Sequence, residues 1–321
     1  MGRLKNNLFH NLDHTSDFVF QVNSCGVIGI KQSLDHKIQL VKFQNGKLLM
    51  GVVTRNSFIS YYPILPVKLE RPIKAVLMDL DGTTLYSEDF WISVIQETVR
   101  IMTTNTDFGF SDSDLPFVSG HSVSEHLSYC IEKYHPGFQL DRAINIYYQI
   151  ADKMLKQVLN GEILNIGFEP AYFLKEFLEY LHKKSIKVGL VTSGVYEKAY
   201  PEIWSVCSKL KLGAPEEVYD SIITAGNPLR NHSVGNLGEL SAKPHPWLYL
   251  EEALVGLSID VNDRKHVLGI EDSGAGICSL ASAGIPAIGL THGNIIKSGL
   301  DDMCMDICDS LEEILNKYFT D

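Results

Sequence analysis

Short, unbroken apolar runs alternate with amphipathic stretches along most of the chain after residue 73. Strands of a parallel sheet are covered on both faces, so such runs predict buried parallel strands, and the stretches of helical period between them predict the covering helices. The pattern therefore predicts an α/β fold with a Rossmann-like, doubly wound parallel sheet. The predicted strands are Ala75–Met78, Lys187–Val191, Ser221–Gly226, Lys265–Ile270 and Ile285–Leu290.

A long block without strand signals interrupts this alternation after the first run. Apolar residues follow helical spacing at positions 90–103, 122–134 and 143–159, which predicts an inserted α-helical cap over residues 87–167. Glu169-Pro170 resembles a helix start and resumes the core. The α/β core is then expected to comprise residues 71–86 and 168–321.

The segment before the core has a different pattern. Residues 1–24 show no clear period and are expected to be a polar helical or loose segment. From Lys37 onward apolar and polar residues alternate, and Asn45-Gly46 tolerates positive φ, so this pair predicts a hairpin between two strands. A third strand is predicted near residues 57–62. Residues 1–70 should form a small β-rich module that packs on the core, mediates oligomerisation or regulates the protein.

Composition narrows the classes of function. The chain is 45% hydrophobic and 21% charged, with a formal net charge of -11, which argues against a general binder of nucleic acid or anionic membranes. No stretch approaches the roughly 20 apolar residues of a membrane helix. The six cysteines are scattered without a Cys-x-x-Cys pair, which is typical of reduced thiols in a cytoplasmic protein.

The first core strand runs into Asp79-Leu-Asp81-Gly82-Thr83. Ligands bind at the carboxyl ends of strands in open α/β sheets, so the two carboxylates are well placed for chemistry. They repel each other unless a cation intervenes, and Mg²⁺ accepts oxygen ligands of this kind. One carboxylate could act as nucleophile and the other could move protons. The alternative is a solvated acidic loop without chemistry.

Three later segments carry polar groups in a comparable setting. Thr192-Ser193 ends the second strand, where a hydroxyl and free backbone amides suit a phosphate oxygen. Lys243 opens a Lys-Pro-x-Pro segment and could neutralise anionic groups, although an isolated lysine is usually a surface charge. Glu271-Asp272 follows the next strand and precedes two glycines. All three have ordinary structural explanations when taken singly.

Together, in this order and context, the four segments resemble the signatures of the haloacid dehalogenase-like superfamily, in the helical-cap branch of β-phosphoglucomutases and phosphoglycolate phosphatases. The resemblance covers residues 73–315. It implies that Asp79 is the nucleophile and forms an aspartyl phosphate, and that Asp81 is the acid and base. It also implies a Mg²⁺ site formed by Asp79, Asp81 through its carbonyl, Asp272 and Glu271, and phosphate contacts from Thr192, Ser193 and Lys243.

We therefore expect a Mg²⁺-dependent phosphatase that acts on a small phosphorylated metabolite. A β-phosphoglucomutase-like phosphoryl transfer is the alternative, although mutases typically have Asp and His at the positions of Tyr86 and Trp91. A non-catalytic binding or regulatory protein on the same fold also stays open. By the same resemblance, His121, Ser122 and Ser124 in a predicted cap loop are weak candidates for substrate contact.

Overall fold

The computed structural model describes residues 9–33, 36–53, 58–118, 123–162, 167–225 and 242–320. The chain divides into two compact units, which are Met1–Thr84 with Ala171–Tyr196 and Pro215–Asp321, and Leu85–Pro170 with Glu197–Ala214. The three-part division expected from the sequence stays a prediction. In the described parts of the chain, no helix combines the length and the apolar character needed to span a bilayer.

An antiparallel sheet of five strands in sequential order begins the first unit. One face packs on the core through Ile38, Met50 and Val52, which cluster with Cys278 and Leu300. The other face carries a second small cluster that includes Val27, Ile30 and Val41. Both faces are therefore partly covered. The strands are β1 (Phe9–Leu12), β2 (Val27–Ser33), β3 (Ile38–Phe43), β4 (Leu48–Val53) and β5 (Ile59–Pro63).

The first core strand, β6 (Ala75–Asp79), is buried at every position. In the second unit, β7 (Leu85–Tyr86) pairs with β8 (Glu169–Pro170), and the helical insert lies between them in the chain. Apolar residues at helical spacing bury one face of each longer helix. The helices of the insert are α1 (Glu88–Thr103), α2 (Leu115–Val118), α3 (Val123–Tyr134) and α4 (Leu140–Leu159).

Five further strands complete a six-stranded parallel sheet in the order β10-β9-β6-β11-β12-β13. The central strands β6 and β11 are buried throughout, as expected for strands covered on both faces. This architecture confirms the predicted α/β class with a helical insert and an N-terminal β-sheet. The added strands are β9 (Lys187–Thr192), β10 (Ser221–Thr224), β11 (Val267–Glu271), β12 (Ala287–Leu290) and β13 (Asp306–Cys308).

Most of the remaining helices belong to the first unit, whereas α6 (Tyr196–Leu210) belongs to the second unit from Glu197 onward. A π-helical turn, Glu252–Gly256, continues α8, and a 3-10 helix, Val261–His266, precedes β11. The α-helices are α5 (Leu174–Lys183), α6 (Tyr196–Leu210), α7 (Pro215–Val218), α8 (Trp247–Glu251), α9 (Gly274–Ala283), α10 (Ile295–Ser298) and α11 (Leu311–Tyr318).

Two local predictions were wrong. Glu169-Pro170 does not start a helix, because these residues pair with Tyr86 and Leu85 in the short ladder, and α5 begins only at Leu174. Residues 9–12 form an edge strand rather than a helical or loose segment, because β2 offers them a partner from Ile30 to Ser33. Pairing with a distant segment is a tertiary effect that local periodicity does not report.

Candidate active site

Asp79 is the last residue of β6 and is buried, with 8% of its surface exposed. The turn that follows is closed by Thr84, whose hydroxyl donates to the Asp79 carbonyl at 2.6 Å and whose amide donates to the Leu80 carbonyl at 2.9 Å. Gly82 has a φ of +87°, which favours glycine. The Asp81 side chain lies in this turn and is half-buried.

Lys243 is the cation of the site. Its side chain is 5% exposed, and its ammonium donates to the Asp79 carboxylate, to Glu271 Oε1 at 2.7 Å and to the Val191 carbonyl at 3.1 Å. The Tyr249 ring lies 4.8 Å below the ammonium. All three donor hydrogens therefore have acceptors, and the lysine is fixed between two carboxylates rather than extended into water.

Glu271 ends β11 and is fully buried. Besides Lys243, its Oε1 accepts from the Tyr249 hydroxyl at 2.6 Å, and its Oε2 accepts from the Ser273 hydroxyl at 3.0 Å and the Ser273 amide at 3.2 Å. A Cβ on Gly276 would overlap the Glu271 carboxylate. The carboxylate is thus held by four hydrogen bonds in a space that only a glycine in α9 leaves open.

Asp272 is held by two neighbouring turns. Its carboxylate lies directly over Gly82, where a Cβ would collide with it. Its carbonyl accepts from the Asn294 amide at 2.9 Å, and a Cβ on Gly293 would overlap the same carbonyl. His292 lies in the same loop after β12, and its Nε2 is 2.6 Å from the Gly82 carbonyl. The loop after β12 therefore buttresses both acidic segments.

Thr192 and Ser193 lie at the end of β9. Thr192 is buried, and its hydroxyl accepts from the Gly194 amide at 2.9 Å. Ser193 is exposed, and its hydroxyl accepts from the Lys243 amide at 3.2 Å. This second contact ties the segment with Lys243 to the end of β9, so a phosphate held by these hydroxyls and amides would be close to the ammonium.

Burial and mutual repulsion dominate the electrostatics. Burial and the charge of Glu271 raise the pKa of Asp79 well above its usual range, although Lys243 opposes the shift. The same two causes raise the pKa of Asp272 to about 7, with His292 and Lys243 opposing. Burial alone would lower the pKa of Lys243, but the charges of Asp79 and Glu271 outweigh it and raise that pKa. Three acidic side chains thus lie close together, and Lys243 contacts two of them, Asp79 and Glu271.

This donor set fits a hard divalent cation. Asp79, Glu271 and Asp272 each offer an oxygen within 4.8 Å of the others, and they form the only such acidic group among the described residues. Carboxylate oxygens are the ligands that Mg²⁺ prefers, and a second positive charge would relieve the repulsion that raises the two aspartate pKa values. Both Glu271 oxygens already accept hydrogen bonds, so Asp79 and Asp272 are the more available ligands.

The fold thus assembles most of the residues singled out in the sequence, from the ends of β6, β9 and β11 and from the segment that precedes α8. It joins Asp79, Lys243, Glu271 and Asp272 directly, and Ser193 through the Lys243 amide. Ser124 lies exposed on α3 in the other unit, and residues 121 and 122 lie outside the described residues.

Sequence reasoning missed three supporting residues, which are Tyr249, His292 and Asn294, and it assigned Gly276 to a close turn without its fit to the Glu271 carboxylate. His292 had a detectable signal, because it follows the end of β12 by two residues and the same strand-end rule applies. Tyr249 had no such signal in the sequence, since an aromatic residue in a helix usually belongs to the hydrophobic core.

Comparison with known proteins places this geometry in a family. The sequence model described as haloacid dehalogenase-like hydrolase matches residues 76–290, which is more than half of the chain. The match begins within β6 and ends with β12, so it includes Asp79, Thr192, Lys243 and Asp272, and with them every strand end of the site.

Solved structures share the fold. A candidate β-phosphoglucomutase from Thermotoga maritima is 21% identical, with a TM-score of 0.55, over 76% of this chain and 97% of that chain. A predicted phosphoglycolate phosphatase from Haemophilus somnus is 18% identical, with a TM-score of 0.53, and the match covers 76% of this chain and 97% of that chain. A CbbY variant from Rhodobacter sphaeroides, in complex with xylulose-1,5-bisphosphate, is 17% identical, with a TM-score of 0.50, and the match covers 75% of this chain and 96% of that chain. The acidic strand ends, the buried lysine and the matched region lead to one conclusion: the chain belongs to the haloacid dehalogenase-like hydrolase family.

Proposed function

We propose that this protein is a Mg²⁺-dependent phosphatase that hydrolyses a small phosphorylated metabolite through an aspartyl phosphate on Asp79. One observation carries the proposal: the Asp79 carboxylate meets the Lys243 ammonium at the end of β6, inside a cluster of carboxylate oxygens. A nucleophilic oxygen, a fixed cation and a cation-binding oxygen set are the groups that phosphoryl transfer requires.

Each residue has a defined task in this reaction. An Asp79 oxygen attacks phosphorus, the bond to the leaving oxygen breaks, and Asp81 gives that oxygen a proton. Water then attacks the phosphorus of the aspartyl phosphate, Asp81 takes a proton from the water, and inorganic phosphate leaves with Asp79 regenerated. Lys243, the Thr192 hydroxyl and the Ser193 amide hold phosphoryl oxygens.

Asp79, Asp272 and the Asp81 carbonyl would hold Mg²⁺, with Glu271 acting directly or through water. When bound, Mg²⁺ supplies positive charge that neutralises the phosphoryl oxygens. The residues of the chain supply the remaining control: Lys243 screens the nucleophile from the phosphate charge, and Glu271 fixes Lys243. The buried position of Asp79 limits competing reactions with bulk water.

A phosphorylated sugar is a reasonable first substrate class, because a structural neighbour is described with a sugar bisphosphate. The mutase alternative is less favoured. Trp91 lies where mutases typically have His. Its indole donates to Glu202 at 3.0 Å, and both residues belong to the second compact unit, Leu85–Pro170 with Glu197–Ala214, which we call the helical unit. This contact is an ordinary structural role. Tyr86 is paired in the β7–β8 ladder.

The test is Mg²⁺-dependent release of inorganic phosphate from a panel of phosphorylated sugars, acids and nucleotides. We expect release from a few related compounds, loss of that release in Asp79→Asn, and full release in Asp302→Asn, which changes an exposed acid far along the chain. Activity that survives in Asp79→Asn would refute the mechanism. Interconversion of sugar phosphates without release would favour the mutase. If the protein catalysed neither reaction, the binding-protein alternative would be favoured.

A further inference from the structure

The N-terminal sheet reaches the segment that carries Lys243. The Tyr62 hydroxyl on β5 lies 2.7 Å from His245 Nδ1, and the two atoms share a hydrogen bond. The rings of the two residues meet edge to face, with centroids 5.6 Å apart. The Trp247 ring lies on the same tyrosine at 6.3 Å. Tyr62 therefore contacts the Lys243 segment at two points.

His245 is a firm attachment point rather than a surface side chain. It is 8% exposed, and burial lowers the pKa of its ring, so the neutral ring offers one donor and one acceptor. Its carbonyl accepts from the Ser279 hydroxyl of α9 at 2.6 Å, and its amide donates to the Ala242 carbonyl at 3.2 Å. Only Pro244 separates His245 from Lys243. Because the φ of a proline is fixed, a displacement of His245 also displaces Lys243.

Tyr62 is anchored equally well from its own side. It pairs with Met50 of β4 across the sheet, and its ring packs with the cluster of Ile38, Met50 and Cys278. The hydroxyl is thus presented to His245 by a paired strand and a buried apolar cluster. A strand held in this way loses little entropy when it makes one further hydrogen bond.

We propose that Tyr62 is a positioning residue for Lys243, and that the N-terminal sheet is thereby part of the phosphate-handling site. The inference rests on the proposed function, because the ammonium must meet Asp79 and the phosphoryl group together. Lys243 is held at its ammonium by two carboxylates and at its backbone by Ser193 and the His245 turn. Loss of the Tyr62 hydroxyl removes the hydrogen bond to the His245 ring and leaves this end of the segment held through the His245 backbone.

The test removes a single hydroxyl. Tyr62→Phe keeps the ring and the strand, and Tyr61→Phe is the matched control. Tyr61 precedes Tyr62 on β5, packs in the cluster on the other face, and donates its hydroxyl to Asp17 at 2.8 Å. We expect Tyr62→Phe to lower kcat/KM for p-nitrophenyl phosphate by about 3- to 10-fold. Tyr61→Phe should change it by less than about 2-fold. Equal effects of the two variants would overturn the proposal.

A second measurement separates positioning from a general structural role. In a Lys243→Ala background, Tyr62→Phe should change kcat/KM by less than about 2-fold, because the group that it positions is gone. A loss as large as in the wild-type background would show that the tyrosine acts elsewhere, and would overturn the proposal.

Amide hydrogen exchange tests the link without catalysis. The amides of Lys243 and His245 are hydrogen-bonded, and we expect them to exchange about 3- to 10-fold faster in Tyr62→Phe than in Tyr61→Phe. Unchanged exchange would overturn the proposal even in an active enzyme. If the wild-type protein releases no phosphate, the proposed function fails, while the exchange result still decides whether Tyr62 holds the segment.

Discussion

Gly276 leaves open the space that the Glu271 carboxylate fills. A Cβ at position 276 would overlap that carboxylate, and the carboxylate has no free direction in which to move, because it is fully buried and accepts hydrogen bonds on both oxygens. The first turn of α9 and the end of β11 are therefore fitted to each other. Since Glu271 also fixes Lys243, a change at this glycine reaches the Asp79 carboxylate through two contacts.

We expect Gly276→Ala to lower kcat for phosphate release by about 100-fold, because small misplacements of catalytic groups have effects of that size. Steady-state kinetics with p-nitrophenyl phosphate measures this loss of kcat. The control is Gly29→Ala, since a Cβ there meets no atom within 4 Å. An alanine variant at position 276 with normal kcat would show that Glu271 can relocate without consequence.

Lys243→Met should lower kcat by about 100- to 1000-fold, because it removes the fixed charge that lies beside the Asp79 carboxylate and, in the proposed mechanism, also holds the phosphoryl group. In EDTA the variant should also unfold at a lower temperature than the wild-type protein, since three carboxylates then lack their cation. Lys68→Met, which changes an exposed lysine before the core, is the control. If Lys243→Met and Lys68→Met behave alike, the lysine has no catalytic part.

Mg²⁺ should stabilise the protein, and Asp272→Asn should abolish most of the effect. A ligand present at about 100 times its dissociation constant stabilises the folded state by about 2.7 kcal/mol. Thermal unfolding in EDTA and in excess Mg²⁺ measures the shift. Asp302→Asn should retain the full shift, because this acid is exposed and lies outside the carboxylate cluster. A wild-type protein with the same Tm in both conditions would contradict the metal site.

The helical unit has its own buried carboxylate. Asp114, 1% exposed, accepts hydrogen bonds from Lys133 at 2.6 Å, Tyr129 at 2.7 Å and Tyr134 at 2.6 Å. Burial alone would raise the pKa of Asp114, but the hydrogen bonds from Lys133, Ser111 and the two tyrosines outweigh it and hold that pKa well below its usual range. The stabilisation is therefore complete above about pH 4, the ordinary aspartate pKa, and is progressively lost as the pH falls below it.

We expect Asp114→Asn to lower the free energy of unfolding by about 2 to 4 kcal/mol at pH 7, and by less at pH 3. Urea unfolding followed by tryptophan fluorescence is suitable, because Trp91 and Trp204 both lie in the helical unit. Asp112→Asn, at an exposed position two residues earlier, should have little effect. If Asp114→Asn lowered the free energy of unfolding equally at pH 7 and at pH 3, the charge of Asp114 would not contribute to stability.

Much of the architecture could be predicted from the sequence, because parallel strands and amphipathic helices have local periods. The run Ala75–Met78 is apolar because both faces of β6 are covered, and the acidic residues after it lie at the strand end by geometry alone. The N-terminal strands were harder. Residues 9–12 form a strand only because β2 pairs with them, and an edge strand of four residues is too short to show a distinctive pattern.

Local patterns along the chain were enough to place Asp79, Thr192 and Asp272 at the ends of predicted parallel strands, and hence at one edge of the sheet, while the family resemblance added Lys243 to them. The contacts among these groups became visible in the folded chain: Lys243 turns inward between Asp79 and Glu271, Gly276 leaves room for the Glu271 carboxylate, and β5 reaches His245. Periodicity records which side of an element is buried, whereas these contacts join segments that are distant in the chain and depend on close packing, which no local pattern encodes.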